Sequence, residues 1–190
     1  MEPDIRRYVG ILWMAFGLIW LLGALFQKQT ARREASGIRL VYLVFGGLAV
    51  LLLVDKKLQL GPLESHFVPQ DMLFGGAGLA LTFIGVAFAV WARVFLGRNW
   101  SGAVTVKKDH ELIRNGPYAI VRHPIYTGAL VALLGTAIVF AEARGLVSVG
   151  IATIALCVKL LHEERFMTEQ FGAEYAKYSQ KVKRLIPFVW

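Results

Sequence analysis

One cysteine in 190 residues leaves the chain no intramolecular disulfide and no cysteine-rich metal cage. Cys157 lies inside an apolar run and reads as a small buried hydrophobe, so it carries no information on redox compartment. No G-x-G-x-x-G follows a strand, no phosphate loop is present and no serine stands in a nucleophile elbow, which leaves nucleotide hydrolysis and serine chemistry unsupported. His162-Glu163 begins like a zinc-protease pair, but Phe166 stands where the second histidine belongs, so no metal is expected. Internal repeats and low-complexity linkers are absent, and no short apolar leader with a small-residue cleavage site follows a basic start. The first apolar segment is therefore expected to remain in the protein. Charge is scarce, 18% of residues, and it is unbalanced: 21 basic against 13 acidic side chains, net +8. A basic chain suggests nucleic acid only when its charges gather on a polar surface. Here they flank apolar segments, and no nucleic-acid partner is expected.

What the chain has is apolar surface. With 56% hydrophobic residues and a mean hydropathy of +0.55, it is too apolar for an ordinary soluble domain. Membrane lipid is its expected solvent. A spanning helix needs about 20 apolar residues, and five candidates occur: Val9–Phe26, Ile38–Val54, Met72–Leu96, Ile125–Phe140 and Gly145–Leu161. The third is rich in small residues, which favours close helix packing. The last two are short, and only "AEAR" joins them, so a tight antiparallel hairpin is expected. The fold class is an all-α integral membrane protein of about five spans. Residues 1–71 hold helices 1 and 2 with a loop; residues 72–190 form a core of helix 3, a loop, the hairpin and a tail. With five spans, sixteen of the 21 lysines and arginines fall on the side that holds the C-terminal half. That side is then cytoplasmic and the N-terminus lies opposite. The tail from His162 to Trp190 places Phe166, Phe171, Tyr175, Tyr178 and Val182 near one helical face. It reads as a helix beyond the bilayer, stopped by Pro187, with "FVW" at the lipid interface.

Two clusters carry chemistry. In "RNGPYAIVRHPIYTG" (Arg114–Gly128), Gly116-Pro117 and His123-Pro124 interrupt the backbone ladder and are expected to leave amides and carbonyls for a ligand. Tyr118, Arg122, His123 and Tyr126 gather aromatic, cationic and imidazole groups there. The alternative is a connector whose Arg122 and Tyr126 anchor helix ends at the headgroups. In "KLLHEERF", Lys159, Glu163 and Glu164 leave the fifth helix where it should leave the bilayer. Ionisable residues at that depth point to function, against the alternative of an ordinary Lys159–Glu163 surface pair. His66 reads as a loop residue on the opposite side. His110, beside Lys107, Lys108 and Asp109, is either a pocket wall or a surface histidine.

The strings "GRNWS", "HELIRNGPYAIVRHPIYTG" and "HEERFMTEQFGAEYAKYSQKVKRLIPF" together resemble the isoprenylcysteine carboxyl methyltransferase family and its phospholipid methyltransferase relatives, over roughly Leu96–Phe188. The resemblance implies an S-adenosylmethionine-dependent enzyme embedded in the membrane, with a cytosolic cofactor pocket made by His110, Glu111, Leu112, Ile113, Tyr118, His123, Pro124, Ile125, Tyr126 and the pair Glu163 and Glu164. It implies that Lys159 stands where relatives hold the substrate carboxylate. Arg122, Lys159, Glu163 and Glu164 are the charged groups expected at the reaction; Arg93, Asn99, Trp100 and Lys159 are expected to line the entry of a prenylated or phospholipid substrate. Three alternatives are a phospholipid amine N-methyltransferase, a reductase of the sterol-reductase type and a non-enzymatic scaffold.

Overall fold

The computed structural model describes residues 3–25, 30–33, 36–55, 60–97, 105–107 and 112–190. Its helices are α1 (Pro3–Ala24), α2 (Ser36–Val54), α3 (Met72–Leu96), α4 (Pro124–Phe140) and α5 (Ala143–Lys181). A two-stranded antiparallel ribbon, β1 (Thr30–Arg33) with β2 (Thr105–Lys107), is the described extended structure. Three helices, α1, α3 and α5, are long and apolar enough to cross a membrane; α2 and α4 are apolar and shorter. Leu18, Leu21, Leu43, Val44, Leu73, Phe83, Ile84 and Ile154 point outward with a third or more of their area exposed. That is the pattern of helices solvated by lipid.

The expected close packing of α3 falls on α4. A Cβ on Gly85 would lie 2.3 Å from the Ala132 nitrogen, and one on Gly135 would lie 2.5 Å from the Thr82 nitrogen. Gly78, Thr82, Gly85 and Ala89 thus form a stripe at helical spacing into which Gly128, Ala132 and Gly135 settle, backbone against backbone. Polar groups in this seam are satisfied internally. The Thr82 hydroxyl donates to Gly78 O at 2.9 Å, Thr136 donates to Ala132 O at 2.8 Å, and Trp13 Nε1 of α1 donates to Thr136 Oγ1 at 3.0 Å. Ile5 and Val9 pack on Val139, which is why α1 begins at Pro3, earlier than the expected Val9.

The remaining pair is α2 with α5. Ser148 Oγ donates to Ala49 O at 2.6 Å, and Arg144 Nη1 donates to Asp55 O at 3.0 Å. The α4–α5 hairpin has its expected short turn, with Ala141 in the left-handed region at φ 64°. At the same end His66 bridges Glu142, and Phe67 N donates to Ala141 O.

The helical tail expected beyond Leu161 is continuous with the apolar span, and α5 runs to Lys181 with a break at Gly172, whose φ of 48° permits a bend. One expectation about α5 needs correction. Pro187 does not end it. The chain leaves helix at Val182 because its next carbonyls are used elsewhere: Lys183 O and Arg184 O accept from the amides of Arg122 and His123 at 2.7 and 3.0 Å.

Candidate functional site

The two prolines of the Arg114–Gly128 stretch start helical turns. Pro117 lies in the first turn of a 3₁₀ segment, Gly116–Ala119, and Pro124 is the first residue of α4, where a missing amide costs nothing. Gly116 has φ 59°, and a Cβ there would strike the Phe95 ring at 2.7 Å, so the turn is tucked against α3. The amides were expected to be open to a ligand, and the structure corrects this. Tyr118 N, Ile120 N and Val121 N bond within the loop, while those of Arg122 and His123 pair with the 183–184 strand, a parallel bridge from Val121 to Lys183. Buried amides need partners, and this chain supplies them from its own tail.

The loop's side chains meet the glutamates of α5. Arg122 Nε and Nη2 reach one oxygen of Glu164 at 2.9 and 2.6 Å, while Arg184 Nε reaches the other at 2.9 Å. Arg122 Nη1 also donates to Ser179 O at 2.9 Å and Val182 O at 2.5 Å, capping the last carbonyls of α5. The pair is buried: the side chains of Arg122 and Glu164 are 7% and 11% exposed. Tyr126 donates its hydroxyl to Glu163 at 2.5 Å. His123 lies between the two carboxylates, Nδ1 at 3.5 Å from Glu163 and Nε2 at 3.3 Å from Glu164, with its ring stacked on Tyr126. Burial works to lower the His123 pKa, but hydrogen bonds to Glu163 and Glu164 outweigh it and hold the value above the ordinary imidazole one. Burial raises the Tyr118 phenol, which therefore stays protonated.

Adjacent helical residues point about 100° apart, and the two glutamates accordingly face different surroundings. Glu164 faces a polar cavity of about 340 Å³, with Arg122, Thr168, Tyr175, Lys183, Arg184 and Trp190 in its wall. The Trp190 ring lies under the Arg184 guanidinium at 5.4 Å, and its main-chain oxygen accepts from Leu185 N and Ile186 N. Glu163 faces Tyr126, one turn beyond Lys159, whose ammonium lies over the rings of Tyr126 at 5.4 Å and Tyr42 at 5.2 Å. Arg93 is buried near the end of α3, donates to Gly97 O at 3.0 Å, and packs where Gly23 of α1 has no Cβ.

Of the residues singled out in the sequence, Arg122, His123, Tyr126, Glu163 and Glu164 meet directly, with Lys159 against Tyr126. Pro124 is buried at the start of α4, Ile125 is half-buried beside it, and Leu112 and Ile113 are half-buried ahead of the 3₁₀ turn. His110, Glu111, Asn99 and Trp100 lie outside the described residues. Sequence reasoning missed Arg184, Thr168 and Tyr42. Only the three cations at 181, 183 and 184 hinted at the first, and a lone tyrosine in an aliphatic string hinted at the last. Among the described residues no group of three or more His, Cys, Asp or Glu side chains is placed to hold a metal.

A model of the isoprenylcysteine carboxyl methyltransferase family matches residues 78–169, so the resemblance carried by the loop and glutamate motifs is shown. The chain is 25% identical over 152 residues to protein-S-isoprenylcysteine O-methyltransferase B of Arabidopsis thaliana, covering 73% of this chain and 77% of that protein. It is 31% identical over 115 residues to a probable protein-S-isoprenylcysteine O-methyltransferase of Oryza sativa subsp. indica, covering 59% and 60%. It is 30% identical over 164 residues to methanethiol S-methyltransferase 1 of Bradyrhizobium diazoefficiens, covering 79% of this chain and 54% of that protein.

Proposed function

From the match to the isoprenylcysteine carboxyl methyltransferase family, we propose that this chain is a multi-pass membrane methyltransferase that uses S-adenosylmethionine to methylate the carboxylate of a prenylated cysteine or a similar prenyl thioether acid. The observation that carries the reading is the meeting of the matched loop, His123–Tyr126, with Glu163 and Glu164 of α5 at the end of an apolar bundle. The charge bias, counted over five spans, supports a cytoplasmic position for that end and the C-terminal tail.

The donor is a zwitterion with a sulfonium, a ribose and a purine, and the residues present suit it. A cavity with Glu164 beside Arg122, Lys183 and Arg184 offers both signs of charge, and Tyr175 and Trp190 offer ring faces. Glu164 would hold it from the cavity, with His123 bridging to Glu163 and Tyr126 on the other side of α5; Leu112, Ile113 and Tyr118 are the further residues that the resemblance implies. When bound, S-adenosylmethionine supplies an electrophilic methyl group. The chain's own task is positioning, since an acceptor carboxylate is ionised at neutral pH and needs no general base. Arg122 fixes the loop against α5 and keeps Glu164 in place. Tyr126 orients Glu163. Lys159 supplies a point charge for the acceptor acid, and the prenyl tail is held by lipid-facing helix surface at about 0.8 kcal/mol per buried CH₂.

The similarity to a methanethiol S-methyltransferase over 79% of the chain supports a second reading, a thiol acceptor. A thiol, unlike an acid, is largely protonated at neutral pH, as a cysteine side chain with its pKa of about 8.5 already is, and must first lose that proton. The experiment is transfer of labelled methyl from S-adenosylmethionine, in proteoliposomes, to N-acetyl-S-farnesylcysteine, methanethiol or phosphatidylethanolamine. Label in the farnesylcysteine ester alone is the expected result. Label in the thiol or the amine moves the assignment to that acceptor, and label in none with no S-adenosylhomocysteine binding ends the methyltransferase reading.

A further inference from the structure

Tyr42 belongs to α2 and lies outside residues 78–169, the segment that matches the family. Its neighbours Leu40, Val41, Leu43 and Val44 point outward, yet Tyr42 is buried at 7% exposure. The ring faces α5, where Lys159 Nζ lies 5.2 Å from its centroid and 5.4 Å from that of Tyr126. An ammonium between two ring faces is attracted by both quadrupoles. The second ring is itself fixed, because the Tyr126 hydroxyl donates to Glu163. The first is fixed by the helix pair, since Ser148 and Arg144 of α5 bond the backbone of α2 at Ala49 and beyond its end at Asp55.

We infer that Tyr42 is a positioning residue for methyl transfer: it holds the Lys159 ammonium against Tyr126, and this placement makes the acceptor site prefer an anionic lipid end over a neutral or cationic one. The inference rests on the reading above and deepens it by naming a selectivity device that the family match does not cover. A lysine on a flexible four-carbon stem is a poorly directed charge. Two rings from two different helices remove that freedom before substrate arrives, which is how a preorganised group favours binding. The same charge opposes an amine headgroup brought to the same place.

The test uses the full chain in nanodiscs with two probes, 3-(farnesylthio)propionic acid and its methyl ester, and with S-adenosylhomocysteine as a control for the fold and the cofactor site. Wild type and Tyr42→Phe, which keeps a ring, are expected to bind the acid roughly tenfold tighter than the ester. Tyr42→Leu and Lys159→Met are expected to bind the two alike. In turnover of N-acetyl-S-farnesylcysteine, Tyr42→Leu should raise KM roughly fivefold with kcat within about twofold, as expected for lost ground-state binding. S-adenosylhomocysteine affinity should stay unchanged in both Tyr42 variants. An acid preference that survives Tyr42→Leu overturns the inference. So does a Tyr42→Phe variant as impaired as Tyr42→Leu, a Tyr42→Leu variant that loses S-adenosylhomocysteine, or equal binding of acid and ester by wild type. Wild type that fails to bind S-adenosylhomocysteine overturns the methyl-transfer reading first, and this inference with it.

Discussion

Arg122 delivers Nε and Nη2 to a single oxygen of Glu164, 42 residues away, and spends its remaining nitrogen on the carbonyls of Ser179 and Val182. One guanidinium therefore ties the loop before α4 to the middle of α5 and to the end of α5.

Removing Glu164 leaves the buried Arg122 without its carboxylate, which costs about 3 kcal/mol; removing Arg122 leaves Glu164 to Arg184 and His123 and takes the donor from two carbonyls at the end of α5. Arg122→Met and Glu164→Leu are each expected to lower thermal stability in detergent by several degrees. Arg122→Lys should not rescue, because an ammonium cannot meet a carboxylate and two separate carbonyls from one planar fork. A lysine variant as stable as wild type would show that the pair contributes charge alone.

His123 sets a pH dependence whose sign follows from its two carboxylates. Its folded pKa is raised above the unfolded value of about 6.5. The protonated ring is therefore favoured in the fold, and its contribution is complete below about pH 6.5 and lost as pH rises through the folded value. Thermal stability measured from pH 5.5 to 9 should decline over that upper range, and His123→Gln should flatten the decline. A wild-type profile that rises with pH would contradict the bridge between Glu163 and Glu164.

The α3–α4 seam predicts a sharp contrast between glycines. Gly85→Ala places a Cβ against the Ala132 backbone and should cost about 1–3 kcal/mol, seen as a lower midpoint of thermal unfolding in detergent. Gly76→Ala meets nothing within 4 Å and should leave that midpoint unchanged. Equal effects at both positions would mean that the helices separate easily.

The side of the membrane is checkable by labelling. In a Cys157→Ser background, cysteines at Glu64 and at Lys177 should react with an impermeant maleimide from opposite faces of oriented vesicles, Lys177 from the cytoplasmic one. Labelling of both from one face would remove the five-span arrangement.

The sequence by itself determined that this is a helical membrane protein, which segments are apolar, and which short strings hold its polar chemistry. These are local properties: hydropathy over one segment, or proline and glutamate at fixed positions, needs no knowledge of distant residues. The Met72–Leu96 helix shows the point, since its bounds were legible to the residue and its glycines already announced close packing. Only tertiary structure decided what those groups do to one another. The loop amides looked open because their acceptors lie some 60 residues on, at Lys183 and Arg184, and no periodicity encodes that pairing. For the same reason, the adjacent Glu163 and Glu164 could not be told apart by spacing. Helical geometry turns one toward Tyr126 and the other toward Arg122 and Arg184, because α4 and the returning tail approach α5 from different sides. Tyr42 met its neighbour the same way, when packing of α2 on α5 placed its ring against a lysine 117 positions later in the chain.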